Sequence, residues 1–232
     1  MAGHRHYRLK LFWGEVNKRH IGFIKPFIEK GEILDLGCGS GSTAYEIQKG
    51  GFGKVTGLDF SNDEISKAKE WYPDVDFYRE NAEKMPFPNE KFNTIILRDS
   101  LHHFYEEADF EKVKKEINRV LKPGGRLIFL DPNINAMIRF LRRTAKHIDA
   151  ECDFEAAIEI INSLGYTVQH KSFNTVYSLP LSGGYVYKNF VPHNRLLYKV
   201  LIGMEIILEK IINGLNLGRY LCWRYLIVCT KP

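Results

Sequence analysis

Short apolar runs alternate with amphipathic stretches from residue 30 to residue 131. The runs "EILDLG" (32–37), "KVTGLDF" (54–60), "VDFYRE" (75–80), "FNTIILRDS" (92–100) and "RLIFLDP" (126–132) have the length and content of buried strands. Between them, "STAYEIQKG" (42–50) predicts a helix stopping at Gly50–Gly51. "SNDEISKAKEWYP" (61–73) predicts one with Ser61 as N-cap, acids in its first turn and a stop before Pro73. "FEKVKKEINRVL" (110–121) is strongly amphipathic and is closed by "KPGG". Strands alternating with helices at this spacing predict a parallel sheet covered on both faces.

Outside this block the pattern loosens. A helix is expected in 11–30, an insertion with a helix in 133–148, a helix in 153–166 and a strand in 167–176. A loop follows (178–192), then a long helix (193–215) and a closing strand (220–232). Projected as a helix, 193–215 places Leu196, Leu197, Val200, Leu201, Met204, Ile207, Leu208, Ile211 and Ile212 on one broad apolar face. Arg195, Lys199, Glu205, Glu209, Lys210 and Asn213 share the other side. The first reading is a helix packed on its domain by the apolar face. A homodimer interface and a wall for a lipid-like ligand are the two others. The mixed signs of the polar side argue against a membrane-surface helix.

The stretch "ILDLGCGSG" (33–41) ends its strand with glycine at every second position. In a doubly wound sheet, ligands sit outside the carboxyl ends of the strands. Side chains at 37, 39 and 41 would hold a ligand off the backbone or forbid positive φ. The helix beginning near Ser42 would add its free N–H groups. A tight turn with no ligand is the plain alternative. A dinucleotide fingerprint needs Gly or Ala where Ser42 stands, and no G-K-[ST] follows to make a P-loop.

Composition narrows the setting. The 232-residue chain is 44% hydrophobic and 26% charged, and its net charge of +5 is modest. The basic runs at 4–10 and 139–147 are interleaved with apolar residues, as on solvated helix faces rather than a nucleic-acid footprint. Four cysteines without a CxxC pair make no disulfide framework and no metal site is expected. No segment reads as a signal peptide or a membrane span, so a cytoplasmic protein is expected.

Four runs together resemble the class I S-adenosylmethionine-dependent methyltransferases, in the small-molecule branch grouped with ubiquinone- and menaquinone-biosynthesis enzymes (type 11). They are "ILDLGCGSG", "VTGLDFS" (55–61), "ENAEKMPFPNEKFNTIILRDSLHHF" (80–104) and "EINRVLKPGGRLIF" (116–129). The resemblance implies a Rossmann-like, doubly wound, mostly parallel sheet of seven strands in the order 3-2-1-4-5-7-6, with helical lid insertions. Residues 31–131 would form the cofactor-binding core of a single domain. Residues 1–30 would form an N-terminal lid, and 132–152 and 178–217 the substrate-side insertions.

The resemblance also assigns roles. Asp35 and the backbone of Gly37, Cys38, Gly39 and Gly41 would serve the methionine end of the cofactor. Asp59 would accept from both ribose hydroxyls, Phe60 would lie against the adenine, and Asn81 and Ala82 would meet its edge. Backbone near Leu97 would meet the cofactor's amino group. The family has Asp where Asn81 stands, but Asn can still accept from an amino group.

Methyl transfer from a sulfonium needs positioning and a dry cleft above all, and a base only where the nucleophile must lose a proton. His103 is the candidate base, with a packing role as the alternative, and His102, Trp13, Tyr185 and Tyr187 are candidates for the substrate side. An aromatic lid suits an apolar small-molecule acceptor. An RNA acceptor is disfavoured because "RDSL" stands where [DNS]-P-P-[YFW] would be expected, and no DNA partner is indicated. A non-catalytic cofactor-binding or scaffold protein and a dinucleotide oxidoreductase remain as alternatives.

Overall fold

The structure is a computed structural model that describes residues 10–101, 103–104, 109–136, 139, 153–175 and 194–232, with backbone alone for 10–13 and 195. Seven strands form one mostly parallel sheet in the order β3-β2-β1-β4-β5-β7-β6, as expected. The strands are β1 (Gly31–Leu36), β2 (Gly53–Asp59), β3 (Asp76–Arg79), β4 (Phe92–Arg98), β5 (Leu121–Pro132), β6 (Thr167–Asn174) and β7 (Arg224–Thr230). The helices are α1 (Lys10–Ile24), α2 (Ser42–Lys49), α3 (Asn62–Trp71), α4 (Phe110–Val120), α5 (Phe154–Ser163), α6 (Arg195–Gly214) and α7 (Gly218–Leu221). The chain divides into two compact units: residues 21–131, 150–171 and 226–232 form one, and residues 1–20, 132–149 and 172–225 the other.

In the first unit, β1 pairs in parallel with β2 and with β4, which places it in the middle of the sheet. Ile33, Leu34 and Leu36 are fully buried there, each side chain contributing about 1.5–3 kcal/mol by leaving water. On the face that Ile33 presents, Ala44 and Ile47 of α2 and Ile65 and Ala68 of α3 close over one core. The caps fall where the residue types predict. Ser61 accepts from the Glu64 N–H at the start of α3, and Asp153 from the Ala156 N–H at the start of α5.

Two boundaries differ from expectation. The "KPGG" run is not a turn before β5 but part of it, because β5 begins at Leu121 opposite Phe92. A register shift between Phe92 and Thr94 takes up the extra residues. The chain end holds the bulge in place: the Gly124 N–H donates to the Lys231 carbonyl, and the Lys231 N–H to that of Gly125. At the other end, the predicted strand from residue 220 begins instead as the short helix α7.

In the second unit, the helix expected at 193–215 forms as α6, but rotated about its axis. Of the expected inward face Ile212 is buried and Leu201 and Leu208 are half-buried, but Leu196, Val200, Met204, Ile207 and Ile211 are exposed, while Glu205 is fully buried and Glu209 nearly so. The reason is Arg19 of α1. It lies 2.8 Å from a Glu205 carboxylate oxygen and donates to Glu209 Oε2 at 2.7 Å. Glu209 also accepts from the Thr175 N–H. One buried cation therefore draws both acids inward, and much of the apolar side turns out. Replacing Arg19 with Met should lower stability by about 3–5 kcal/mol in urea unfolding, because two buried carboxylates lose their counter-charge. A loss below about 1 kcal/mol would mean that this triad does not set the orientation of α6.

Candidate functional site

At the carboxyl ends of β1, β2 and β4 lies a cleft of about 460 Å³, lined wholly by residues of the first unit. The glycine loop forms one wall. Gly37 and Cys38 N–H groups donate to the Leu58 carbonyl, and the Gly41 N–H donates to that of Cys38. The loop thus closes on the end of β2 before α2 starts.

The glycines of this loop do different things. Gly39 has φ +50, and a Cβ there would meet nothing nearer than a Glu64 carboxylate oxygen at 3.9 Å, so this backbone faces the open cleft. Gly41 has φ +83, and a Cβ would collide with the Phe77 ring, so it serves packing behind the cleft. A Cβ on Gly37 would strike Ser100, whose hydroxyl donates to the Leu36 carbonyl at 2.9 Å. This close approach joins the end of β1 to the start of the turn after β4.

Asp59 ends β2 with both carboxylate oxygens engaged. Oδ2 accepts from the Gly39 N–H at 2.8 Å and Oδ1 from the Ser61 N–H at 2.9 Å. Each oxygen retains a further lone pair for a ligand hydroxyl. Asp35 sits behind the loop, buried, with Oδ2 accepting from the Ala44 N–H in the first turn of α2 at 3.1 Å. Burial raises its carboxyl pKa to about 7 against the opposing effect of the Arg98 charge. Burial, with the Asp35 and Asp59 charges, pushes the Cys38 thiol upward, so Cys38 is no nucleophile.

Across the cleft, Asn81 Oδ1 accepts from the Glu83 N–H at 2.9 Å, which forms an Asx turn at the lip. Behind that turn Arg119 is the anchor. It donates to the Met85 and Phe87 carbonyls and pairs with Glu116, which in turn accepts from the Met85 N–H. The third wall is the turn after β4, where Asp99 has φ +57 and the His103 N–H donates to the Ser100 carbonyl. A positive φ on Asp is tolerated in a tight turn at a cost of about 1–2 kcal/mol.

The cleft thus brings together seven of the expected residues: Gly37, Gly39, Asp59, Phe60, Asn81, Ala82 and His103. Asp35, Cys38, Gly41 and Leu97 stand behind it and do not line it, Leu97 being fully buried within β4. His102, Tyr185 and Tyr187 lie outside the described residues, as does the side chain of Trp13. Sequence reasoning missed Glu64, Glu80, Glu83 and Asp99, which also line the cleft. They make the wall acidic, and no Lys or Arg is among its described lining residues. Only their convergence in space shows this, since along the chain each is an ordinary surface acid.

Residues 34–129 match the family model for the methyltransferase domain, type 11. They belong to that branch of the class I S-adenosylmethionine-dependent methyltransferases. The chain is 36% identical over 103 residues to the demethylmenaquinone methyltransferase of Chlorobaculum parvum, covering 44% of this chain and 42% of that one. It is 34% identical over 116 residues to the chloroplastic 2-phytyl-1,4-beta-naphthoquinone methyltransferase of Arabidopsis thaliana, covering 45% and 43%. The chain thus spans less than half the length of these curated relatives. Geranyl diphosphate C-methyltransferase from Streptomyces coelicolor shares the methyltransferase fold at TM-score 0.69 and 14% identity, covering 98% of this chain and 86% of that one.

The Asp35 carboxyl has a pH consequence. Between its ordinary value of 3.8 and about 7, the folded chain keeps a proton that the unfolded chain has released. Stability should therefore fall as pH rises through that window and level off above it. Asp35→Asn preserves an acceptor for the Ala44 N–H and should flatten the fall in urea unfolding across a pH series. An unchanged slope would remove Asp35 as its source.

Proposed function

We propose that the protein transfers a methyl group from S-adenosylmethionine to an apolar small molecule, in the cytoplasm. The observation that carries this reading is the sign of the cleft. Asp59, Glu64, Glu80, Glu83 and Asp99 line it without a Lys or Arg among the described residues, which suits a cofactor carrying an ammonium and a sulfonium. A dinucleotide would bring its pyrophosphate against the same acids, at a cost of several kcal/mol for like charges. A nucleic-acid acceptor meets the same repulsion.

The residues present fit the cofactor. The open face of Gly39 admits a ligand to backbone contact, and the Asp59 carboxylate, held by two backbone N–H groups, can accept from ribose hydroxyls without reorganising. Exposed Phe60 offers a ring face to the adenine, and Asn81 and Ala82 its edge contacts. Asp35 acts from behind, through the hydrogen bond it accepts at the start of α2. When bound, the cofactor supplies an electrophilic methyl group on sulfur. The protein's part is to hold the acceptor in line with it and to keep water out, an arrangement that can lower a barrier by about 7–11 kcal/mol. His103 lines the cleft and can take a proton from an acceptor hydroxyl or acidic carbon. The acceptor class rests on the relatives, named for a demethylmenaquinone and a phytyl naphthoquinone.

Isothermal titration with S-adenosylmethionine should show binding, weakened at least ~10-fold by Asp59→Ala and unaffected by the surface change Lys69→Ala. Equal losses in both variants would sink the cofactor assignment. With a demethylated naphthoquinone as acceptor and mass spectrometry of the product, His103→Asn should lower turnover and leave cofactor affinity intact. Unaltered turnover would take His103 out of the mechanism.

A further inference from the structure

The outward surface of α6 and α7 does not look like that of a helix meant to face water. Leu196, Val200, Met204, Ile207, Ile211 and Leu215 follow one another at spacings of three and four residues. All six are exposed, Leu196 to 73% and Ile207 to 62%. At about 100° per residue they fall within an arc of about 100°, one unbroken apolar stripe along the helix. Leu217 and Tyr220, beyond the helix end, are exposed as well.

The charges of this segment are sorted as well. Its only acids, Glu205 and Glu209, point inward to Arg19. Lys199 and Lys210 are exposed on the flank of the stripe, and Arg219 is exposed in α7. The mixed signs that the sequence shows on this helix therefore separate on folding, and its outer surface is apolar and purely cationic.

We propose that this face docks on an anionic lipid surface. The stripe enters the boundary between headgroups and acyl chains, and Lys199 and Lys210 meet the headgroup phosphates. Charge decides between this occupant and a second copy of the chain. A two-fold contact sets the same patch against itself. In such a contact the lysines find no exposed carboxylate on α6 or α7 to pair with, whereas an anionic surface pairs them. Tyr220, an aromatic ring with a polar tip, suits the headgroup level. Among the described residues no helix is long and apolar enough to cross a membrane, so α6 lies on the surface rather than through it.

The inference stands apart from methyl transfer, and its test needs neither cofactor nor acceptor. The full chain is co-sedimented with phosphatidylcholine vesicles, with and without phosphatidylglycerol. It should bind the phosphatidylglycerol vesicles preferentially, and added salt should weaken that binding. Ile207→Glu with Ile211→Glu should lower the affinity at least ~10-fold, and Lys199→Glu with Lys210→Glu should remove the preference for anionic lipid. These positions are exposed and outside the cleft, so S-adenosylmethionine titration should be the same for both variants. No binding to either vesicle, or binding unchanged by both pairs of substitutions, would overturn the proposal. So would a dimer in analytical ultracentrifugation that Ile207→Glu with Ile211→Glu disperses while the parent chain ignores vesicles, which would assign the face to a second copy.

Discussion

The carboxylate of Asp59 is the fixed point of the cleft. It stands at the end of β2 and receives one N–H from the glycine loop and one from the turn into α3. Two segments that follow different strands are thereby tied to one charge. Without it, the loop would keep its own hydrogen bonds to Leu58 but lose the contact that aims Gly39 at the cleft. The arrangement is preorganised in the physical sense. The dipoles are already turned toward the negative charge, so a ligand hydroxyl meets an acceptor that need not move.

Around that point the protein gathers acids that no local rule brings together. Glu64 comes from α3, Glu80 and Glu83 from the stretch after β3, and Asp99 from the strained turn after β4. Their common sign costs stability by mutual repulsion and gains selectivity for a cationic ligand. The Asx turn at Asn81 and the Arg119 anchor behind it hold the distal wall in register with the glycine loop. Arg119 touches no ligand-facing atom, yet it fixes the backbone that carries Asn81 and Ala82 to the lip.

Much of this was legible in the chain. The alternation of apolar runs and amphipathic stretches predicted the order of strands and helices between residues 31 and 131, because a buried parallel strand and a half-buried helix impose different periods. The glycine spacing pointed to the loop, and Ser61 announced its helix start. The same reasoning misjudged "KPGG", whose Gly and Pro read as a turn. They are instead the bulge of a strand that only pairing with Phe92 and the chain end at Lys231 could reveal. It also treated the glycines of the loop alike, whereas Gly41 packs on Phe77, Gly37 is pressed against Ser100 at the cleft edge, and only the Cβ position of Gly39 opens on the cleft.

The helix α6 draws the line between the two kinds of information most sharply. Its length, its capping Asn194 and its two-sided character are properties of the sequence, since period and residue type are local. Which side faces in is not local. Hydrophobicity alone would bury the leucines and isoleucines, but one arginine nine-tenths buried on α1 outweighs them by pairing with Glu205 and Glu209. Likewise the chain itself determined the strand order's ingredients, the loop and the acid that ends β2. Only the tertiary structure decided that scattered carboxylates share one cleft and that an apolar helix face looks outward, because the first depends on which strand ends the sheet order brings together and the second on an ion pair between groups far apart in the chain.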